Sequence, residues 1–273
     1  MEVKANSKTA IKFKRVLKVG ILTGLIAGVL IMLIIMGITI AVKNKSHNKE
    51  VKELKTQIKQ LEETVAVQAE EDLIKIEDAA VQLASDSDDW CLALINEDYL
   101  LAESYVPELA EVEEGFEVDA RIKEAVEDMF AAAQEDGLSL VLRSAYRSYE
   151  TQDTYFNSDM QSWISSGYDP LDAYNTTIQS VALPGSSEHV AGLALDIVSA
   201  SYDGLDEAQE ETEEAKWLMK HCAEYGFILR YPSDKTDITG ITYEPWHYRY
   251  VGVDAAKEIM EQGITLEEYV GAK

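Results

Sequence analysis

Residues Gly20 to Val42 are 23 consecutive positions without a charge, rich in Leu, Ile and Val. A bilayer core about 30 Å thick is crossed by about 20 such residues in a helix. The run is longer than the roughly 7–15 residues of a signal-peptide core, and no small-x-small cleavage site follows it. It predicts an uncleaved signal anchor over residues 19–42. Six bases precede the span (Lys4, Lys8, Lys12, Lys14, Arg15 and Lys18) and three follow it (Lys43, Lys45 and Lys49). That bias predicts a basic cytoplasmic segment, residues 1–18, and a body beyond the cytoplasmic membrane.

The next stretch predicts a helical stalk over residues 43–88. Val51, Leu54, Ile58, Leu61 and Val65 follow a 3-4-3-4 spacing, with Lys and Glu filling much of the remainder. β-Branched residues at one core position and Leu at the other favour a parallel two-stranded coiled coil. Gly20, Gly24 and Gly28 share one helix face, where small residues let two membrane helices approach. A parallel homodimer fits both patterns. A single solvated helix fits the short heptad run equally. Ser85 to Asp89 breaks the pattern, and a domain over residues 89–273 follows.

Charge separates the two ends. Residues 1–49 hold nine of the 24 bases and one of the 50 acids, Glu2, leaving 15 bases against 49 acids beyond them. So acidic a body excludes a nucleic-acid binder, which needs a basic surface to neutralise phosphates. Two cysteines exclude a disulfide scaffold and a multi-cysteine zinc module. Cys91 and Cys222 would face an oxidising side, where they could pair.

The outer domain reads as mixed helix and short strand. Asp119 predicts a helix cap, with Ile122, Val126, Met129 and Phe130 on one face and Gly137 as the stop. Ser148 predicts a second cap, for a helix to about Ser165, and Asp169-Pro170 a third. Leu138–Leu142, Leu193–Val198, Phe227–Leu229 and Trp246–Val251 read as strands. Glu207–Tyr225 reads as one long helix closed by Gly226, with short helices near the end. No regular βαβ alternation is present, so the fold class is α+β with a small antiparallel sheet.

Chemistry concentrates at two of the four histidines. His189 follows a Pro-Gly turn and opens a stretch that reaches Asp196 inside an apolar run. A carboxylate there is costly without a partner, and a metal is a strong one. Gly192 between them would permit close backbone approach. His247 closes Glu244-Pro-Trp-His247. Zinc catalysis needs three protein ligands, an open position and a nearby general base. His189, Asp196 and His247 would complete the ligand set, leaving Glu244 as the base. Two unrelated histidines and a salt-bridged Asp196 account for the same spacing. His221, beside Cys222, reads as an ordinary helix histidine. No H-E-x-x-H, G-x-S-x-G, Walker A or dinucleotide fingerprint occurs.

These residues carry a resemblance. Ser187-Glu-His-Val-Ala-Gly-Leu-Ala-Leu-Asp196 resembles the S-x-H-x-x-G-x-A-x-D motif of VanY-type D-alanyl-D-alanine carboxypeptidases. Glu244-Pro-Trp-His-Tyr-Arg-Tyr-Val-Gly252 resembles their E-x-W-H-x-R-Y-V-G motif. Arg143-Ser-Ala-Tyr-Arg-Ser-Tyr149 with Gln152 is similar to their S-G-Y-R-S-x-x-x-Q segment, with Ala145 where Gly is usual. The resemblance implies the LAS-type zinc peptidase fold, a small antiparallel sheet flanked by helices, and one zinc ion per catalytic domain. It assigns the metal to His189, Asp196 and His247 and the base to Glu244. Arg147 becomes the contact for substrate carboxylate or transition state, and Ser187 and Gln152 become peptide contacts. Arg230 and Arg249 read as structural ion-pair members. The implied activity is removal of the terminal D-alanine from peptidoglycan stem peptides outside a bacterial membrane. An L,D-carboxypeptidase, an endopeptidase or a catalytically silent wall-binding ectodomain would share the same framework.

Overall fold

A computed structural model describes residues 52, 55–60, 80–85 and 87–272. The predicted basic segment, the signal anchor and most of the stalk lie outside the described residues. Lys52 and residues 55–60 are helical. Among the described residues no helix is long and apolar enough to cross a membrane. The chain divides into two compact units between Lys75 and Ile76, and the second carries both sheets.

Among the described residues six strands form two sheets. β1 (Leu109–Glu113) and β2 (Phe116–Asp119) make an antiparallel hairpin. β3 (Leu140–Ser144), β4 (Ala194–Ser199), β5 (Phe227–Leu229) and β6 (His247–Tyr250) make an antiparallel sheet in the order β3-β4-β6-β5. β4 is central and buried along its whole length. Side chains alternate across a strand, so Leu195 and Ile197 share one face and Asp196 takes the other. Leu195 lies opposite Tyr248 of β6, and both join a core with Val126 and Met129 of the helix Lys123–Glu135. The core reaches back to Leu83, which is buried and whose carbonyl accepts from Arg121 Nη1 at 2.9 Å.

Local signals set the helix starts. The Asp119 carboxylate accepts from Arg121 N and opens a short 3₁₀ turn that runs into Lys123–Glu135. Ser148 Oγ accepts from Thr151 N at the head of the helix Tyr149–Ser165. Asp169 accepts from Leu171 N and Asp172 N at the head of Pro170–Thr177.

Two readings need correction. The expected helix over 207–225 is three pieces: a 3₁₀ turn Glu207–Glu211, a helix Glu213–His221 and a 3₁₀ turn Cys222–Tyr225. Thr212 is extended between the first two, and its hydroxyl caps the second by accepting from Ala215 N. Cys91 and Cys222 are buried thiols not joined by a disulfide.

Candidate active site

The sheet register brings the first two ligand candidates together. Asp196 of β4 lies directly opposite His247 of β6, and on its other side opposite Ser144 of β3. His189 comes from a 3₁₀ turn, Glu188–Ala191, that ends at Gly192 with φ +70°. Gly192 O accepts from Asp119 N at 3.0 Å, and a Cβ at Gly192 would lie 2.6 Å from that same nitrogen. Only glycine allows this approach, which anchors the turn against the end of β2.

His189, Asp196 and His247 are all buried, with candidate ligand atoms within 4.8 Å of one another. His189 Nδ1 lies 2.7 Å from the Ala145 carbonyl. A carbonyl can only accept, so this nitrogen carries the proton and Nε2 keeps its lone pair. Nε2 faces Asp196 Oδ2 at 3.3 Å. Burial pulls the His189 pKa down, which favours the neutral, ligating form. His247 is arranged the other way round. Its Nε2 faces Glu188 Oε2 at 3.4 Å, and its Nδ1 faces Asp196 Oδ1 at 3.1 Å. Burial alone would push Asp196 up, but His189 and His247 hold it well below the ordinary carboxylate range. Two imidazoles and one carboxylate fit a four-coordinate zinc with one open position.

Glu244 is buried at the same point, with Oε2 3.7 Å from His247 Nδ1. Burial pushes its carboxyl up to about 8, reinforced by the Asp196 and Glu188 charges and opposed by His247 and Arg147. Arg147 Nη2 lies 3.6 Å from Asp196 Oδ2. The guanidinium is held from behind: Nη1 donates to Gln152 Oε1 at 2.7 Å and Nη2 to Ser144 Oγ at 2.8 Å. Gln152 Nε2 donates to the Ala182 carbonyl. Both ends of that amide are engaged within the protein, so Gln152 orients Arg147. Arg147, Gln152, Ser187, Glu244 and the three ligand candidates all line one cleft of about 640 Å³. Arg143, four residues before Arg147, is exposed and lies outside that lining.

The family model for VanY, D-alanyl-D-alanine carboxypeptidase, matches residues 115–253. The chain belongs to the VanY family. A D-alanyl-D-alanine carboxypeptidase of Enterococcus faecalis is 38% identical to this VanY-family chain over 195 residues, covering 71% of each. The vancomycin resistance D,D-pentapeptidase VanY, solved in complex with Zn(II), superposes with a TM-score of 0.60 at 40% identity. That likeness covers 66% of this chain and 99% of the solved one. The LD-carboxypeptidase LdcB superposes with a TM-score of 0.60 at 38% identity, covering 68% and 88%. A VanY-type metal centre and the donor set found here agree, and this chain is a zinc metallo-carboxypeptidase of α+β fold.

Glu188 was given no role in the sequence. It is a fully buried carboxylate, held below the ordinary range because Arg230 and Arg249 overcome its desolvation. The signal was indirect. Arg230 follows the apolar Phe227–Leu229 and Arg249 sits within an aromatic strand, and each needed a buried counter-charge.

Proposed function

We propose that this chain is a zinc-dependent D,D-carboxypeptidase that removes the terminal D-alanine from peptidoglycan stem peptides. The observation that carries the reading is the meeting of three ligand atoms, Glu244 and Arg147 in one cleft. When bound, zinc would act as a Lewis acid toward the attacking water and the scissile carbonyl. His189 Nε2, one Asp196 oxygen and His247 Nδ1 would hold it. Glu244 takes a proton from the attacking water on a carboxylate oxygen and returns it to the leaving amine. Arg147 offers its cleft-facing N–H groups to the substrate's terminal carboxylate. A guanidinium this close to Asp196 sets that carboxylate one residue from the attacked carbonyl, which favours an exopeptidase. Ser187 contributes a hydroxyl to the peptide-binding wall. The complete donor set weighs against a silent wall-binding ectodomain.

The proposal extends to placement. Residues 19–42 anchor the chain in the bacterial cell membrane with the N-terminus cytoplasmic. The stalk predicted from residue 43 carries the peptidase outside and runs as far as the division at Lys75, beyond which Leu83 already belongs to the peptidase core. The small-residue face and the heptads pair two copies in parallel. Protease added to intact spheroplasts should digest the catalytic domain and spare an N-terminal tag. Cross-linking should yield a dimer that is lost when Leu54 and Leu61 become Asp.

Activity is tested by mass spectrometry of muropeptides incubated with the full chain in detergent. One alanine should leave the pentapeptide stem, chelator should block its loss, and zinc should restore it. Glu244→Gln should retain zinc and lose turnover at least 100-fold, the scale of a general base. Loss from the tetrapeptide alone would move the reading to an L,D-carboxypeptidase. Zinc binding without any cleavage would point to cross-linked substrate or to wall binding.

A further inference from the structure

Beside His247 lies a closed cluster of buried charge. Glu188 Oε1 accepts from Arg230 Nε at 2.7 Å and from Arg249 Nη1 at 2.9 Å. Arg230 also donates through Nη1 and Nη2 to the two oxygens of Glu267, at 2.9 and 2.5 Å. Arg249 Nη2 donates to the carbonyls of Cys91 and Ala93. Two arginines and two glutamates balance to zero charge. One oxygen remains: Glu188 Oε2, which faces His247 Nε2 at 3.4 Å.

We infer that Glu188 is a positioning residue for the metal centre. Its Oε2 holds the Nε2–H of His247 and so presents Nδ1 to the cation, while Arg230 and Arg249 fix the carboxylate. The inference rests on the reading of His189, Asp196 and His247 as ligands. A carboxylate only accepts, so the ring must donate through Nε2, and the lone pair on Nδ1 is left toward Asp196 and Glu244. A ligating histidine needs a partner on its other nitrogen to set ring and tautomer. The Ala145 carbonyl serves His189 in this way. Glu188 serves His247, with a charge in place of a dipole.

Glutamine at this position would keep the size and reverse the direction of the bond. Two guanidinium donors would hold its carbonyl oxygen in the place of Oε1. Its NH₂ would then point at Nε2, a donor facing a donor. The tautomer that leaves Nδ1 free would lose its support.

The test uses the full chain in detergent. Zinc affinity is measured by competition with a chromophoric chelator, and ring ¹H–¹⁵N spectra are recorded on the zinc-loaded protein. Four histidines make assignment tractable. Glu188→Gln should weaken zinc by about 10–100-fold and abolish the exchange-protected Nε2–H resonance of His247. Glu267→Gln removes the same unit of charge from the same cluster without touching His247. It should lower the melting temperature yet keep the resonance and a zinc affinity close to wild type. Unchanged zinc affinity in Glu188→Gln would overturn the inference. So would equal losses in both variants, which would make the effect one of charge or stability. If Glu188→Gln fails to fold, the wild-type spectrum decides, because a zinc-loaded His247 without a protected Nε2–H contradicts the assignment. A wild type that takes up no zinc would sink the metal centre and this inference together.

Discussion

Tyr248 sits in β6 between two site residues, His247 and Arg249, yet it faces the opposite side of the sheet and packs in the core. Its hydroxyl is the buried side-chain polar atom without a hydrogen-bond partner among the described residues. An unsatisfied buried hydroxyl costs stability, whereas an apolar group of the same shape does not. Tyr248→Phe should therefore fold at least as stably as wild type, with a gain of up to ~1 kcal/mol in urea unfolding. A clear loss would show that the hydroxyl is bonded through an internal water. Such a result would concern the core alone, because His247 and Arg249 point the other way.

At the scale of elements, the turn that carries His189 depends on one residue without a side chain. Gly192→Ala would place a residue with φ +70° in a conformation that costs roughly 1–2 kcal/mol. Its Cβ would also meet the Asp119 backbone nitrogen at 2.6 Å, and backbone cannot swing aside as a flexible side chain does. The two penalties together predict a loss of about 2–4 kcal/mol. Denaturant unfolding checks the loss. Zinc affinity should weaken with it, because Gly192 N donates to the His189 carbonyl.

What could be read from the sequence follows the range of the interaction concerned. The caps at Asp119, Ser148 and Asp169 act within three residues; the last two open their helices directly, and Asp119 does so through a 3₁₀ turn. The ligand candidates were legible because each short motif places its own residues, and the β4–β6 register joins the motifs. The hairpin β1–β2 was missed although polar and apolar residues alternate on both sides of Gly115, because each strand is only four or five residues long and rich in Glu, a residue depleted in strands. The break at Thr212 had a local signal, a threonine just before Glu213-Glu214, but the apolar spacing runs through it and hides the cap. Glu188 was illegible for a different reason. Its partners lie 42 and 61 residues away, and only the sheet brings them within reach.

Over the whole molecule, protons and metal compete for one site, and stability should show it. Burial raises Glu244 from 4.5 to about 8. His247, despite burial, is raised from 6.5 to about 9 by its bonds to Asp196 and Glu188. Groups that bind protons more tightly when folded stabilise the fold at low pH. These contributions are fully present below 4.5 and 6.5 and are lost as pH rises through about 8 and 9. Asp196, Glu188 and His189 are depressed, so theirs are present above 3.8, 4.5 and 6.5 and fade as pH falls. Metal-free protein should then be most stable near pH 5–6 and weaker at pH 9. Saturating zinc takes the place of the His247 proton, so it should raise the melting temperature most on the alkaline side. Melting curves from pH 4 to 9, with chelator and with zinc, check both signs.

The bond from Arg230 to Glu267 also bears on the order in which the protein is made. When His247 is added to the growing chain, every metal ligand has been synthesised, but Glu267 is still 20 residues away. Until it arrives, Arg230 lacks one of its two counter-charges, and a buried arginine half-paired resists burial. The pocket behind His247 would close only when the helix Leu266–Val270 docks. A chain cut off before Glu267 would thus leave that pocket unsealed, although it holds every metal ligand.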